Sequence, residues 1–187
     1  MLDAARALLF SPMAGALTME RIAAEARVSK ATLYRHFPTL ESVVQAVVQE
    51  EREAMLAAIG AAGAGAAQEL GARLTAFGVR LIVFLASPGH LALHRALAAQ
   101  PALRGWMGPL IWREGILATE ARLAEMLAEG GRVEARREAR ALLGAWQGNW
   151  LLGLLLDACP PPDGAEVAAI AREGVQMVLG QVLAAAS

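Results

Sequence analysis

The sequence predicts an all-α chain of about nine helices in two parts. Apolar residues recur at spacings of three and four along nearly its whole length, and no run alternates as a half-buried strand would. The recurring runs are bounded by Ser, Thr or Asp at their starts and by Pro or Gly at their ends. Ala, Leu and Arg are abundant and hydrophobic residues make up 56% of 187, a composition that favours helix and supplies a core.

The formal net charge is −1, so a generally basic nucleic-acid coat is excluded and any contact with an anionic polymer is local. Cys159 is the single cysteine, which rules out an internal disulfide framework and a thiolate metal cage. A reducing, cytoplasmic setting is expected. The opening residues MLDAARALLF carry an acid at the third position and lack a basic start, so they do not read as a signal peptide. The most apolar stretch, Leu142 to Leu156, is shorter than a membrane span and interrupted by Gln147 and Asn149. No membrane partner is expected, and no cofactor.

Leu2 to Phe10 reads as the first helix, with Leu2, Ala5, Leu8 and Leu9 inward and Ser11-Pro12 ending it. Thr18 then precedes Met19, Ile22, Ala23 and Ala26, and its hydroxyl can accept from an otherwise unpaired amide of the first turn. Arg27-Val28 breaks the period. Ser29 offers a second cap for a helix through His36, and Pro38 disfavours helical geometry at Phe37. Thr39 is a third cap, with Glu41 where a helix N-terminus favours an anion.

On a helical wheel Leu33 and Phe37 fall on one side of the Ser29 helix, and Ala31, Thr32, Tyr34 and Arg35 on the other. The second side suits DNA: hydroxyls, cations and N-terminal amides for phosphate, and Arg, Lys and a small residue for base edges in a major groove. Lys30 is the only lysine, and no acid lies between Ala26 and Leu40. The local field is therefore positive.

The run Ile22 to Pro38, I-A-x-x-A-x-V-S-x-x-T-L-Y-x-H-F-P, resembles the helix-turn-helix signature of the TetR family of bacterial transcriptional regulators. The resemblance implies an N-terminal three-helix DNA-binding domain and a C-terminal helical ligand-binding and dimerisation domain, the latter similar to AcrR/AefR-type domains. It implies that the second motif helix enters the major groove, with base-edge roles for Lys30, Ala31 and Arg35. Backbone contacts are implied for Thr18, Thr32, Tyr34 and His36, with Ser29 completing the DNA-contacting set. Two positions depart from the pattern. Arg27 stands where the family usually has glycine, so the turn either avoids positive φ or carries strain of about 1 kcal/mol. Leu40 stands where a lysine is common, which removes a phosphate contact.

The helix from Leu40 carries Val43, Val44, Val47 and Val48 toward the motif and Met55, Leu56 and Ile59 onward. Residues 1–48 are read as the DNA-binding domain and 49–187 as the regulatory and dimerisation domain. Gly60 to Ala67 reads as a flexible loop rather than a phosphate-binding one, having no strand before it. Gln68 to Ala86 is the next helix, and Ser87-Pro88 ends it while capping a helix that runs to about Gln100. Ala102 to Gly108 is a short turn or helix. Pro109 to Glu129 and Glu134 to Cys159 are long helices, closed by Gly130-Gly131 and by Pro160-Pro161-Pro162. Asp163 caps the last helix, through Ala185.

The last two helices have wide apolar faces, which predicts a symmetric homodimer interface using Leu143, Trp150, Leu154, Val167, Ile170, Val175 and Val178; the family resemblance points the same way. A dimer would place two recognition helices in successive major grooves about 34 Å apart on a palindromic double-stranded DNA operator. The helices between hold Phe77, Phe84, His90, His94, Trp106, Met107, Trp112, Trp146 and Trp150. The resemblance implies a pocket there for a small apolar or aromatic effector; simple core packing explains the same residues. His90 and His94 are four apart, the spacing of a two-histidine metal site, but no further ligand pattern accompanies them and no metal is assigned. Ser11, Ser29, Ser42 and Ser87 all fall at helix ends and no paired acids share a site, so the chain is read as a regulator and not an enzyme.

Overall fold

The computed structural model describes residues 1–11, 17–57 and 66–185, which are helical with no strand among them. The helices are α1 (Leu2–Leu9), α2 (Met19–Glu25), α3 (Lys30–His36), α4 (Leu40–Ala57), α5 (Ala66–Leu85), α6 (Pro88–Ala99), α7 (Pro101–Ile111), α8 (Ala118–Glu129), α9 (Ala135–Leu155) and α10 (Gly164–Ala185), with a π-helical segment at Trp112–Leu117. The expected loop begins outside the described residues, and Ala66 is already helical. The side chains of Met55, Leu56 and Ile59 also lie outside them.

Helix starts follow from side-chain oxygens meeting amides that have no partner in the helix. Thr18 Oγ1 accepts from Arg21 N at 3.2 Å, Ser29 Oγ from Thr32 N at 3.1 Å, and Ser87 Oγ from His90 N at 3.3 Å. Thr39 and Ser42 cap reciprocally, Ser42 N to Thr39 Oγ1 at 3.1 Å and Thr39 N to Ser42 Oγ at 3.3 Å. At α10 the Asp163 carboxylate accepts from Ala165 N and Glu166 N, and Glu166 Oε2 accepts from Asp163 N. This is a capping box.

Two expected boundaries differ. Pro109 does not start a helix: α7 passes through it and continues by the π segment into α8, so Pro101–Glu129 is one continuous helical run. Proline cannot donate to the preceding turn and its ring crowds a carbonyl there, and the wider turn that follows absorbs the disturbance. Counting that run once gives nine helical elements. The second difference is in α9, which is interrupted at Gly148, with φ 45° and ψ −173°. Such angles are open essentially to glycine alone. α9 also ends at Leu155, before the prolines, with Asp157 at φ 55°.

The chain forms two compact units. One comprises Met1–Arg52 and Ser87–Ile116, the other Glu53–Ala86 and Leu117–Ser187. The first contains α6 and α7 as well as the helix-turn-helix, where the sequence reading draws its boundary at residue 48. Leu93, Leu97, Leu103, Met107 and Leu110 are buried in the same core as Leu9, Ile22, Leu33, Val43, Val44 and Val47. Arg6 on α1 pairs with Glu50 and Glu51 on α4, fixing these two helices at their polar edge.

The second unit is built around Trp146, which is fully buried. Its ring stacks against Phe77 with centroids 6.0 Å apart, and its Nε1 donates to the Ala171 carbonyl at 3.1 Å. Gly78 on α5 and Gly174 on α10 lie against it: a Cβ at either would stand 2.7 Å from an indole atom. After the interruption at Gly148, the Trp150 indole N–H donates to the Trp146 carbonyl at 3.0 Å. At the other end of α9, Arg132 forms two 2.8 Å hydrogen bonds to the Glu138 carboxylate.

Candidate nucleic-acid interface

Helix α3 is seven residues long and is held by its ends and one anchor. Ser29 caps it, its hydroxyl also 2.8 Å from Thr32 Oγ1, and Leu33 is completely buried. Phe37, just past the helix end, packs against the same core. With the inward side fixed, Ser29, Lys30, Ala31, Tyr34, Arg35 and His36 are exposed and Thr32 is half-buried. Tyr34 keeps 46% of its surface, among the large apolar side chains left outside. Thr18, at the start of α2, is exposed as well. All eight residues of the expected DNA-contacting set thus belong to one structural unit, and Leu33 and Phe37 are the pair that the wheel turns inward.

The turn before α3 resolves the alternative at Arg27. Val28 N donates to the Ala23 carbonyl at 3.0 Å and Arg27 N to Ala24 at 3.1 Å, the paired bonds of a Schellman ending. The residue at its corner must be left-handed, and Arg27 has φ 54°. The strain expected of a non-glycine residue there is therefore present.

Glu20 adds a feature the sequence reading lacks. Its carboxylate pairs with Lys30 Nζ at 3.0 Å, both side chains more than half exposed. The hydrogen bond from Lys30 holds the Glu20 carboxyl below its ordinary value. The two stand ten positions apart on different helices, so no spacing rule within one helix reveals them. Part of the local positive field is neutralised until a stronger anion competes for Lys30.

The nine residues expected around an effector fall in both units. His90, His94, Trp106, Met107 and Trp112 belong to the first; Phe77, Phe84, Trp146 and Trp150 belong to the second. Phe77, Trp146 and Met107 are fully buried packing residues, whereas Trp112 is 56% exposed. The His90 and His94 rings lie 4.1 Å apart, and His94 Nδ1 is 3.0 Å from the His90 carbonyl. Among the described residues no group of three or more His, Cys, Asp or Glu is placed to hold a metal ion.

The residues expected at a dimer face pack within the chain. Leu143, Leu154, Val167, Val175 and Val178 are buried in the second unit's own core, and Trp150 and Ile170 pack against it. Side chains of α5 and α8 cover these residues within the chain. The large apolar side chains that α9 and α10 leave outside, among the described residues, are Leu152, Leu156 beyond the α9 end, and Met177, at 58%, 68% and 54% exposure.

Residues 1–47 match the model of the bacterial regulatory proteins of the TetR family, and residues 72–181, more than half the chain, match the AefR-like transcriptional repressor C-terminal domain. The chain belongs to the TetR family. It is accordingly a DNA-binding transcriptional regulator with a helix-turn-helix domain and a helical C-terminal domain. Solved TetR-family structures share its fold. A regulator from Agrobacterium tumefaciens is 25% identical with a TM-score of 0.74, over 96% of this chain and 91% of that one. One from Mesorhizobium loti is 23% identical with a TM-score of 0.72, over 96% and 93%. A flavonoid-responsive regulator, FrrA, is 22% identical with a TM-score of 0.66, over 96% and 93%. No curated protein matches the chain. No single helix among the described residues is long and apolar enough to cross a membrane.

Proposed function

We propose that this TetR-family chain is a cytoplasmic, non-enzymatic repressor that binds a palindromic operator as a homodimer and is released from it by a small apolar or aromatic effector. The observation that carries the DNA part is the exposed face of α3, with Lys30, Ala31, Tyr34 and Arg35 outward on a helix fixed by Leu33 and Ser29. Arg35 and Lys30 suit guanine edges, Ala31 a thymine methyl, and Thr18, Ser29, Thr32, Tyr34 and His36 suit phosphate oxygens. Two such faces about 34 Å apart would read a near-palindrome. The second copy would dock on the outer faces of α9 and α10 through Leu152, Leu156 and Met177.

Repression is supported by the match to a repressor-type C-terminal domain, and a small-molecule effector by the structural likeness to a flavonoid-responsive regulator. An effector shifts the equilibrium only if it binds the free and DNA-bound states unequally. One observation favours a second reading, a DNA-binding dimer with no effector: of the aromatic residues expected in a pocket, Trp146 is closed in by Gly78 and Gly174, and Phe77, stacked on it, is fully buried.

The test is fluorescence anisotropy of DNA flanking the chain's own gene. Arg35→Ala and Tyr34→Ala each weaken binding at least tenfold, and affinity falls steeply with salt. Unchanged affinity in both variants sinks the assigned face. Screening apolar aromatic compounds for release of that DNA separates the two readings.

A further inference from the structure

Glu114 lies in the π segment, beside Trp112 and Arg113, which are both more than half exposed. Its own side chain is only 15% exposed, because α4 covers it. Nε of Arg113, its neighbour in sequence, donates to Oε1 at 3.0 Å; from α4, Gln45 Nε2 is 3.5 Å from the same oxygen and the Gln49 side chain hydrogen-bonds the carboxylate. Arg52 Nη1 donates to the Glu114 carbonyl at 2.9 Å and lies 3.6 Å from Oε2. Residues 45, 49 and 52 form one line along α4. Val43, Val44 and Val47 of the same helix are buried in the helix-turn-helix core. The carboxylate and the backbone carbonyl of one residue therefore meet the polar line of the helix whose apolar side is buried in the core of the helix-turn-helix.

The grip depends on the π register. α7 is anchored in the first unit's core by Leu103, Met107 and Leu110, and α8 in the second unit's core by Leu123, Met126 and Leu127. A π turn holds about one residue more than an α turn, so losing it would rotate the residues on one side of the bulge by about 100° relative to those on the other. A carboxylate turned that far leaves the face it contacts. The first unit's passages of chain end at Arg52 on α4 and at Ile116 in the π segment. Glu114 thus ties together two of the places where the chain leaves that unit.

We propose that Glu114 is a latch on α4. In the π register its carboxylate seats on Gln45, Gln49 and Arg52 and holds α4 in one setting; in the α register it lets go. A turn or pull on α8, covalently continuous with the segment, moves the bulge and so reaches the helix-turn-helix. This deepens the regulator reading and rests on it.

The experiment compares full-length wild type with Glu114→Ala, Glu114→Gln, Arg52→Glu and the charge swap Arg52→Glu/Glu114→Arg. Two measurements are made: amide hydrogen exchange of peptides covering residues 43–57, and anisotropy of DNA flanking the chain's own gene. Glu114→Ala speeds exchange at residues 45–52 at least tenfold, leaves the α9 and α10 peptides unchanged, and shifts DNA affinity at least fivefold. Glu114→Gln, a milder change that keeps the shape, gives smaller shifts in the same direction. The swap recovers part of both effects that Arg52→Glu produces alone, the share that the side-chain pair carries; the bond from Arg52 to the Glu114 carbonyl is not restored. Unchanged exchange in Glu114→Ala overturns the latch, as does faster exchange with unchanged DNA affinity, or a swap that restores neither. Should the wild type bind none of this DNA, the operator reading fails, and exchange with its recovery in the swap still decides whether the latch exists.

Discussion

Trp146 and Gly174 touch so closely that the indole occupies the space a methyl group on the glycine would need: a Cβ there would stand 2.7 Å from Nε1 of the indole and 2.8 Å from Cδ1. The same indole donates to Ala171 one turn earlier on α10, so the ring cannot retreat without breaking a buried hydrogen bond.

Gly174→Ala therefore tests the packing of the second unit. Alanine gains up to about 1 kcal/mol of helix propensity, but forcing a methyl into a filled core costs about 1–3 kcal/mol, so the net effect is destabilising. Trp146→Ala costs about 3–5 kcal/mol. Urea unfolding measures both; a Gly174→Ala protein as stable as wild type would show that the ring has room to move.

Arg27→Gly is expected to stabilise. The left-handed corner costs a side-chain-bearing residue about 1–2 kcal/mol, and the extra freedom of glycine in the unfolded chain returns about 0.5–1 kcal/mol of that. A net gain of about 0.5–1 kcal/mol remains, read as a higher urea midpoint. Removing a cation from the turn also makes DNA affinity the second measurement, with a modest loss at low salt.

His90 makes stability depend on pH. Burial, with the neighbouring His94 adding, pushes its imidazole down to about 3 from an ordinary 6.5. Below about 6.5 the unfolded chain takes up a proton that the folded chain refuses, so stability falls as pH drops from there toward 3. The slope approaches about 1.4 kcal/mol per pH unit at most. Thermal unfolding from pH 7.5 to 5 should show a decline that His90→Gln flattens, whatever that variant does to stability at neutral pH.

The outer faces of α9 and α10 can be probed by charge. Leu152→Glu with Met177→Glu is expected to leave the unfolding midpoint of the monomer within about 0.5 kcal/mol, as surface changes do. The same pair shifts sedimentation from dimer to monomer and lowers operator affinity. Val175→Glu, by contrast, unfolds the second unit, since that position is buried within the chain. A double variant that remains dimeric places the partner elsewhere.

What the sequence makes legible is local chemistry. Thr18, Ser29, Ser87 and Asp163 announce their helices because a cap needs only a side chain and an amide two or three residues on. The two sides of α3 follow from its wheel in the same way. Pro109 misleads because a helix can accommodate a proline by widening the next turn when both ends are anchored in packed cores. Gly148 hides its break in an apolar run, where a glycine is ordinarily tolerated. Faces on α9 and α10 look unpartnered because nothing in their own residues says that α5 and α8 cover them. The aromatic residues of the middle helices read as one group in the sequence, where nothing marks the chain's return into the first unit after Ala86.

Lys30 gives the chain an unusual chemical simplicity. With one lysine in the whole sequence, its ε-amine is the sole side-chain amine, and it stands at the tip of α3, paired with Glu20. An amine-directed dye or acetyl group on a side chain thus lands on α3, the helix proposed to enter the groove, without mutagenesis. Protection of that amine when DNA is added would report occupancy of the surface directly.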